Sequence, residues 1–170
     1  MKKIVLFVFL LTAYVSASYA QRYAVVDTKF ILDRIPEYKE AQAKLDQSSA
    51  EWQKEIDEKQ GALDRMYKNY EAEQVLLSDE LKKKREDELF IREKEVRDLQ
   101  RKRFGFEGDL FKRRQELVKP IQDRVYNAIQ KIAANRQYDF ILDKSEGITV
   151  IFADPKLDRS EDVLREMGVK

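Results

Sequence analysis

The sequence contains no cysteine and no histidine, and its 170 residues include only five glycines, three prolines and one tryptophan. Without cysteine there is no disulfide framework and no thiolate chemistry. Without histidine, the usual general acid–base pairs and catalytic triads cannot be built. No glycine-rich phosphate loop is present. Carboxylates abound, but on helices this densely charged they are expected to be solvated, or paired with Lys and Arg one turn away, rather than to catalyse or hold a metal. The residues point away from an enzyme and imply no cofactor. Scarce glycine and proline with 38% charged residues point instead to long helices.

Lys2 and Lys3 precede an apolar run of 12 residues, Ile4 to Val15 counting Thr12 and Tyr14, which gives way to small residues from Ser16 to Ala20. The run is shorter than the ~20 residues of a membrane span and has the build of a signal peptide. Cleavage is expected after Ala20, leaving Gln21 first and no cysteine to carry a lipid. The alternative is an uncleaved N-terminal anchor. Removing Lys2 and Lys3 from the 33 bases leaves 31 against 32 acids, so overall charge selects no partner and gives no reason to expect nucleic acid.

Apolar or small residues recur at three- and four-residue steps through Tyr38, Ala41, Leu45, Ser49, Trp52, Ile56, Leu63, Met66 and Tyr70. This spacing predicts an amphipathic helix from Pro36 to about Leu77. A second seam, Leu89, Val96, Leu99, Phe106, Leu110, Leu117, Ile121, Val125 and Ile132, predicts another from Asp79 to about Ala134. Between them Ser78 suits an N-cap, with Asp79 and Glu80 in the first turn against the helix dipole. Folding back at this turn pairs Met66 with Leu89, Ile56 with Leu99, Ser49 with Phe106, Leu45 with Leu110 and Tyr38 with Leu117. The residue numbers of every pair share one sum, as an antiparallel hairpin requires. Trp52 then faces Arg103, close enough for the guanidinium to stack on the indole. Roughly 40 residues at ~1.5 Å rise make an arm of about 60 Å.

The ends predict a small β body. Tyr23–Val26, Asp139–Leu142 and Ile148–Phe152 read as short strands, followed by a short helix near Glu161 to Met167 that Gly168 stops. Asn135 is a candidate end for the second long helix, and Pro120 a kink within it. The fold class is mainly α with a small β body: residues 21–35 and 120–170 form the body and 36–119 the helical hairpin. So short a sheet is expected to be completed by association, with Val25, Val26, Phe140, Leu142, Val150 and Phe152 as candidate contact residues.

Ala24-Val25-Val26-Asp27, then Phe30 and Pro36, the charged hairpin, Pro120-Ile121 with Val125, Ala128 and Ile129, Tyr138 through Lys144, Ala153-Asp154-Pro155 and Asp158 through Leu164 follow one another in an order that resembles the Skp/OmpH family of periplasmic chaperones. The resemblance covers essentially the whole mature chain. It implies a homotrimer whose β-rich body holds three arms around a cavity that receives unfolded outer-membrane proteins without ATP. Better-known members are strongly basic. This chain is nearly neutral, with basic clusters only at Lys82–Arg85, Arg101–Arg103 and Lys112–Arg114.

Beside the core seam, Phe90, Phe104, Phe111 and Val118 recur at multiples of seven. They either widen the hairpin core or face client. Leu76 and Leu77 at the turn either pack on each other or touch client, and Lys82, Lys83, Lys84 and Arg85 would add attraction to acidic segments or to an anionic membrane surface. Gly105 and Gly108, within one turn, mark either a close helix approach or a flexible point. A structural coiled-coil adaptor of the cell envelope is the competing function, and it expects a sealed hairpin.

Overall fold

A computed structural model describes residues 21–147 and 150–169. The expected signal peptide, its cut after Ala20, and Ile148 and Thr149 of the expected third strand lie outside the described residues. The elements in order are β1 (Tyr23–Val26), α1 (Thr28–Asp33), α2 (Pro36–Glu73), α3 (Asp79–Phe104), α4 (Asp109–Leu117), α5 (Lys119–Arg136), β2 (Phe140–Asp143), a 3-10 turn (Pro155–Leu157) and α6 (Ser160–Glu166). The chain divides into two compact units. One takes the described residues up to Ile31 together with those from Val125 onward, and the other takes Leu32–Arg124.

In the first unit β1 and β2 pair in parallel, with Tyr23 opposite Phe140 and Val26 opposite Asp143. The Tyr23 and Phe140 rings stack with centroids 5.6 Å apart. On its other side β1 bridges Asp158, and the Arg159 N–H donates to the Val25 carbonyl. Ala24, Val25 and Val26 are consequently buried, with Ile31, Val125, Ala128, Ile132, Val163 and Leu164 completing the apolar interior of this unit. Asp27 caps α1 by accepting from the Phe30 N–H at 2.8 Å. The expected third strand does not form over its described part: Val150, Ile151 and Phe152 are irregular. Asp158 occupies the free side of β1, and the run does not add to the open side of β2.

Helix α5 ends one residue beyond the expected Asn135. Gln137 takes φ 54°, its N–H donates to the Ala134 carbonyl, and the Tyr138 N–H reaches back to Ala133. This is the paired bonding of a Schellman stop, with glutamine at the position that usually takes glycine. Gly168 stops α6 in the same way, as expected.

The second unit is a helical hairpin. Pro36 opens α2 at its first turn, and Ser78 caps α3 by accepting from the Leu81 N–H at 3.4 Å. Ile56, Leu63, Leu89 and Val96 are the buried centre, with Met66, Tyr70, Leu99 and Phe104 packed on them. The antiparallel direction is fixed by cross-links along the length: Tyr70 Oη donates to Glu86 at 2.5 Å, and Arg103 bridges to Glu55 at 3.0 Å.

The expected second helix does not run unbroken. It stops at Phe104 and resumes at Asp109, and it is interrupted again at Val118, with Pro120 inside the first turn of α5. A proline there loses no intrahelical bond, which is why the interruption lies ahead of it. Ser49 therefore does not meet Phe106, whose side chain is 97% exposed.

Candidate functional site

The break between α3 and α4 is a built corner. Gly105 and Gly108 both have extended backbone. A Cβ on Gly105 would collide with the Arg101 carbonyl oxygen, and one on Gly108 would lie 2.7 Å from the Lys102 carbonyl oxygen and 2.9 Å from that of Gly105. Glu107 takes φ 53°, a left-handed conformation that non-glycine residues seldom adopt. The N–H groups of Gly105 and Gly108 still find acceptors, the carbonyls of Arg101 and Gly105.

Beneath the corner, Arg103 is held from three sides. Its Nη1 donates to Asp109 Oδ2 at 2.6 Å, its Nη2 to Glu55 Oε2 at 3.0 Å, and its guanidinium carbon lies 5.1 Å from the Trp52 ring centroid. The Asp109 and Glu55 carboxylates hold the guanidinium above even its usual high value. The expected Trp52–Arg103 stack is therefore present, and Phe104 meets the other part of the indole edge-on at 6.5 Å. Sequence reasoning placed Phe106 in the core and overlooked its exposure. The available signal was Gly105-Phe106-Glu107-Gly108, two glycines in one turn.

The seven-residue stripe divides. Phe90 is 61% exposed and Phe111 46%, whereas Phe104 packs on the hairpin centre and Val118 is buried. Ile91 and Leu81 join Phe90 on the exposed surface of α3. At the turn Leu76 is 87% exposed and Leu77 half-buried. Lys82 pairs with Asp79 and Arg85 with Glu88, while Lys83 and Lys84 are exposed without an ion-pair partner among the described residues. Between α2 and α3 lies a groove of about 300 Å³ with Leu63, Met66 and Val96 as apolar floor and Lys59, Arg92 and Glu95 as charged rim.

Of the candidate contact residues in the first unit, Val25 and Val26 are buried within the chain itself. Phe140, Leu142 and Phe152 are exposed and Val150 partly so. The outer edge of β2 has no strand partner among the described residues. A cluster of polar groups ties this unit together: Asp158 accepts from the Ser160 hydroxyl at 2.6 Å and pairs with Lys144 at 2.6 Å, and the buried Ser160 hydroxyl accepts from the Asp27 N–H at 2.8 Å. Burial works to raise the Asp158 carboxyl, but Lys144 and Ser160 outweigh it and hold it below its usual range. Burial is likewise outweighed at Asp143, by the Thr28 hydroxyl and the Ser145 and Thr28 backbone N–H groups. These are structural bonds, each group already satisfied by its neighbours.

Fold and surface together define a class: a helical-hairpin protein with a small parallel sheet and apolar side chains displayed on a densely charged helical surface. The chain belongs to the OmpH-like family of outer membrane proteins, whose model matches residues 22–167. Its fold is similar to that of a solved Caulobacter crescentus CB15 protein classed as an OmpH-like outer membrane chaperone. The TM-score is 0.63 at 14% identity, covering 88% of this chain and 85% of that one. No curated protein matches the sequence. No helix among the described residues is long and apolar enough to cross a membrane.

Proposed function

We propose that the protein is an ATP-independent holdase chaperone of the periplasm. It binds unfolded outer-membrane β-barrel proteins in a cavity between the helical arms of a homotrimer and prevents their aggregation. Family membership supports the chaperone class. The observation that carries the reading is the row of apolar side chains left in water on a charged hairpin, at Leu76, Phe90, Ile91, Phe106 and Phe111. The adaptor reading expects a sealed hairpin, which these exposures disfavour.

Unfolded barrel strands expose alternating apolar side chains that aggregate. Weak contacts from several arms hold such chains through high effective concentration, and no single contact fixes their conformation. Release then needs only a competing sink for the client, and no catalytic residue or cofactor enters. Within the first unit the open β2 edge, with Phe140, Leu142 and Phe152, is the proposed subunit contact, since an exposed apolar edge invites pairing. Lys83 and Lys84 are proposed to meet acidic client segments. Residues 71–88 hold seven acids against four bases, so net attraction to an anionic membrane surface is not part of the proposal.

The test is the mass of the mature chain in solution by light scattering, with and without a urea-denatured β-barrel protein diluted into it. A trimer that forms a soluble complex and suppresses aggregation is expected. A monomer that leaves the client to aggregate refutes the reading.

A further inference from the structure

We propose that the corner from Gly105 to Gly108 is a preformed docking point for an extended, acid-bearing polypeptide segment that carries an aromatic side chain, with Phe106 as the contact residue. The proposal rests on the chaperone reading and deepens it by naming a client feature and the place that reads it.

Three observations converge. The first is that Phe106 is 97% exposed on a backbone that is fixed. Backbone bonds close the corner at both ends, the Gly105 N–H to the Arg101 carbonyl at 2.8 Å and the Lys112 N–H to the Gly108 carbonyl at 3.1 Å. A polar residue would satisfy the same backbone without leaving a whole aromatic ring in water, so packing within the chain does not explain the ring. The second is the support below. Arg103, only 21% exposed in its side chain, joins the two sides of the break through Asp109 and anchors them to α2 through Glu55. An aromatic held on such a base loses little freedom on binding, which favours a contact over a loose tether.

The third is charge. Lys102 and Lys112, both exposed and within two helical turns of Phe106 along the chain, have no ion-pair partner among the described residues, and Glu107 is the one acid in that span likewise unpaired, Asp109 being held by Arg103. The corner therefore offers an exposed ring in a stretch with a small excess of unpaired positive charge, complementary to an aromatic flanked by carboxylates. β-barrel strands carry aromatic girdles near their ends, where the chain passes from apolar to polar surroundings. Segments that carry an aromatic next to polar residues are therefore a regular feature of the proposed clients.

The experiment uses the full mature chain and fluorescein-labelled twelve-residue peptides with one central Phe, followed by anisotropy. Asp-flanked, Lys-flanked and Phe-to-Ser versions are compared, and Phe106→Ser is the protein variant. Because the ring packs on nothing, Phe106→Ser is expected to keep its circular dichroism and its mass. Its affinity for the Asp-flanked peptide should fall about fivefold, the size of a lost aromatic contact. The Lys-flanked and Phe-to-Ser peptides should bind the native protein more weakly by a similar factor. Equal binding of all peptides, or equal binding by Phe106→Ser, overturns the proposal. So does a change of mass in Phe106→Ser, which would make the corner a subunit contact, or Phe106-dependent binding to anionic vesicles in place of peptide. A native protein that binds the Asp-flanked peptide but lets denatured barrel protein aggregate would keep the corner and refute the chaperone reading. Aggregation suppressed while Phe106→Ser binds every peptide as the native protein does would refute the corner alone.

Discussion

Arg103 shows how much one side chain decides at the residue scale. It contributes two charge-assisted hydrogen bonds and an aromatic stack in a geometry that a lysine ammonium cannot reproduce. Arg103→Lys is expected to lower the urea midpoint and shift the emission of Trp52, the only tryptophan, toward the red as the indole loses its cover. Glu107 sits at a backbone conformation that favours glycine. Glu107→Gly is therefore expected to stabilise the chain by about 0.5–1 kcal/mol, read by denaturant unfolding. In the first unit, Asp143 and Asp158 have folded pKa values below their unfolded ones, so the folded state binds fewer protons there. Their contribution is fully present above the ordinary carboxylate pKa and is lost as pH falls below about 4. A pH series of thermal melts should be flat above about pH 5 and decline on the acid side, less steeply in Asp158→Asn. Trp52 with Arg103 was legible at this scale because register alone brings them together. Phe106 was not, because its spacing continues the seam and only its neighbours on either side break it.

Elements were legible where a period coincided with a cap. Pro36 and Ser78 open the two long helices where the sequence places them, and β1 is bounded as the Tyr-Ala-Val-Val run predicts. The stretch Asp79 to Ala134 shows where period fails: a heptad seam records which side a residue faces if the helix continues, but not whether it continues. Two glycines each costing about 1 kcal/mol in an exposed helix were enough to end it, and the corner they allow is sterically closed to other residues. Gly108→Ala is expected to cost about 1–3 kcal/mol, since its Cβ meets backbone carbonyls that have little room to move. The hairpin itself rests on a thin core. Leu63→Ala should destabilise it by about 2–3 kcal/mol, near the low end for buried leucine because a two-helix layer relaxes around the gap, measurable by loss of helical ellipticity in urea. The numerous ion pairs at three- and four-residue spacing on α3 add only tenths of a kcal/mol each.

At the scale of the whole molecule, the sequence conveyed the class and the succession of strand, hairpin and strand, while α1, the breaks in the second long helix and the division of exposed from buried aromatics depend on packing that no period records. Replacing Phe90 and Phe111 together with Ser is expected to leave helicity unchanged and to raise light scattering by a diluted unfolded barrel protein several-fold over native chaperone. A collapse of helicity instead would make both rings part of the core. The pairing of β1 with β2 carries one further consequence. The two strands are parallel, so the connection between them is the entire stretch from Asp27 to Asp139. A chain threaded across a membrane from its N-terminus delivers β1 first and must wait for β2, whereas the hairpin, built from near neighbours in sequence, closes in the meantime. During that interval Val25 and Val26 lie open on an unpaired strand. Each newly made copy is then briefly the kind of molecule that the finished ones are proposed to protect.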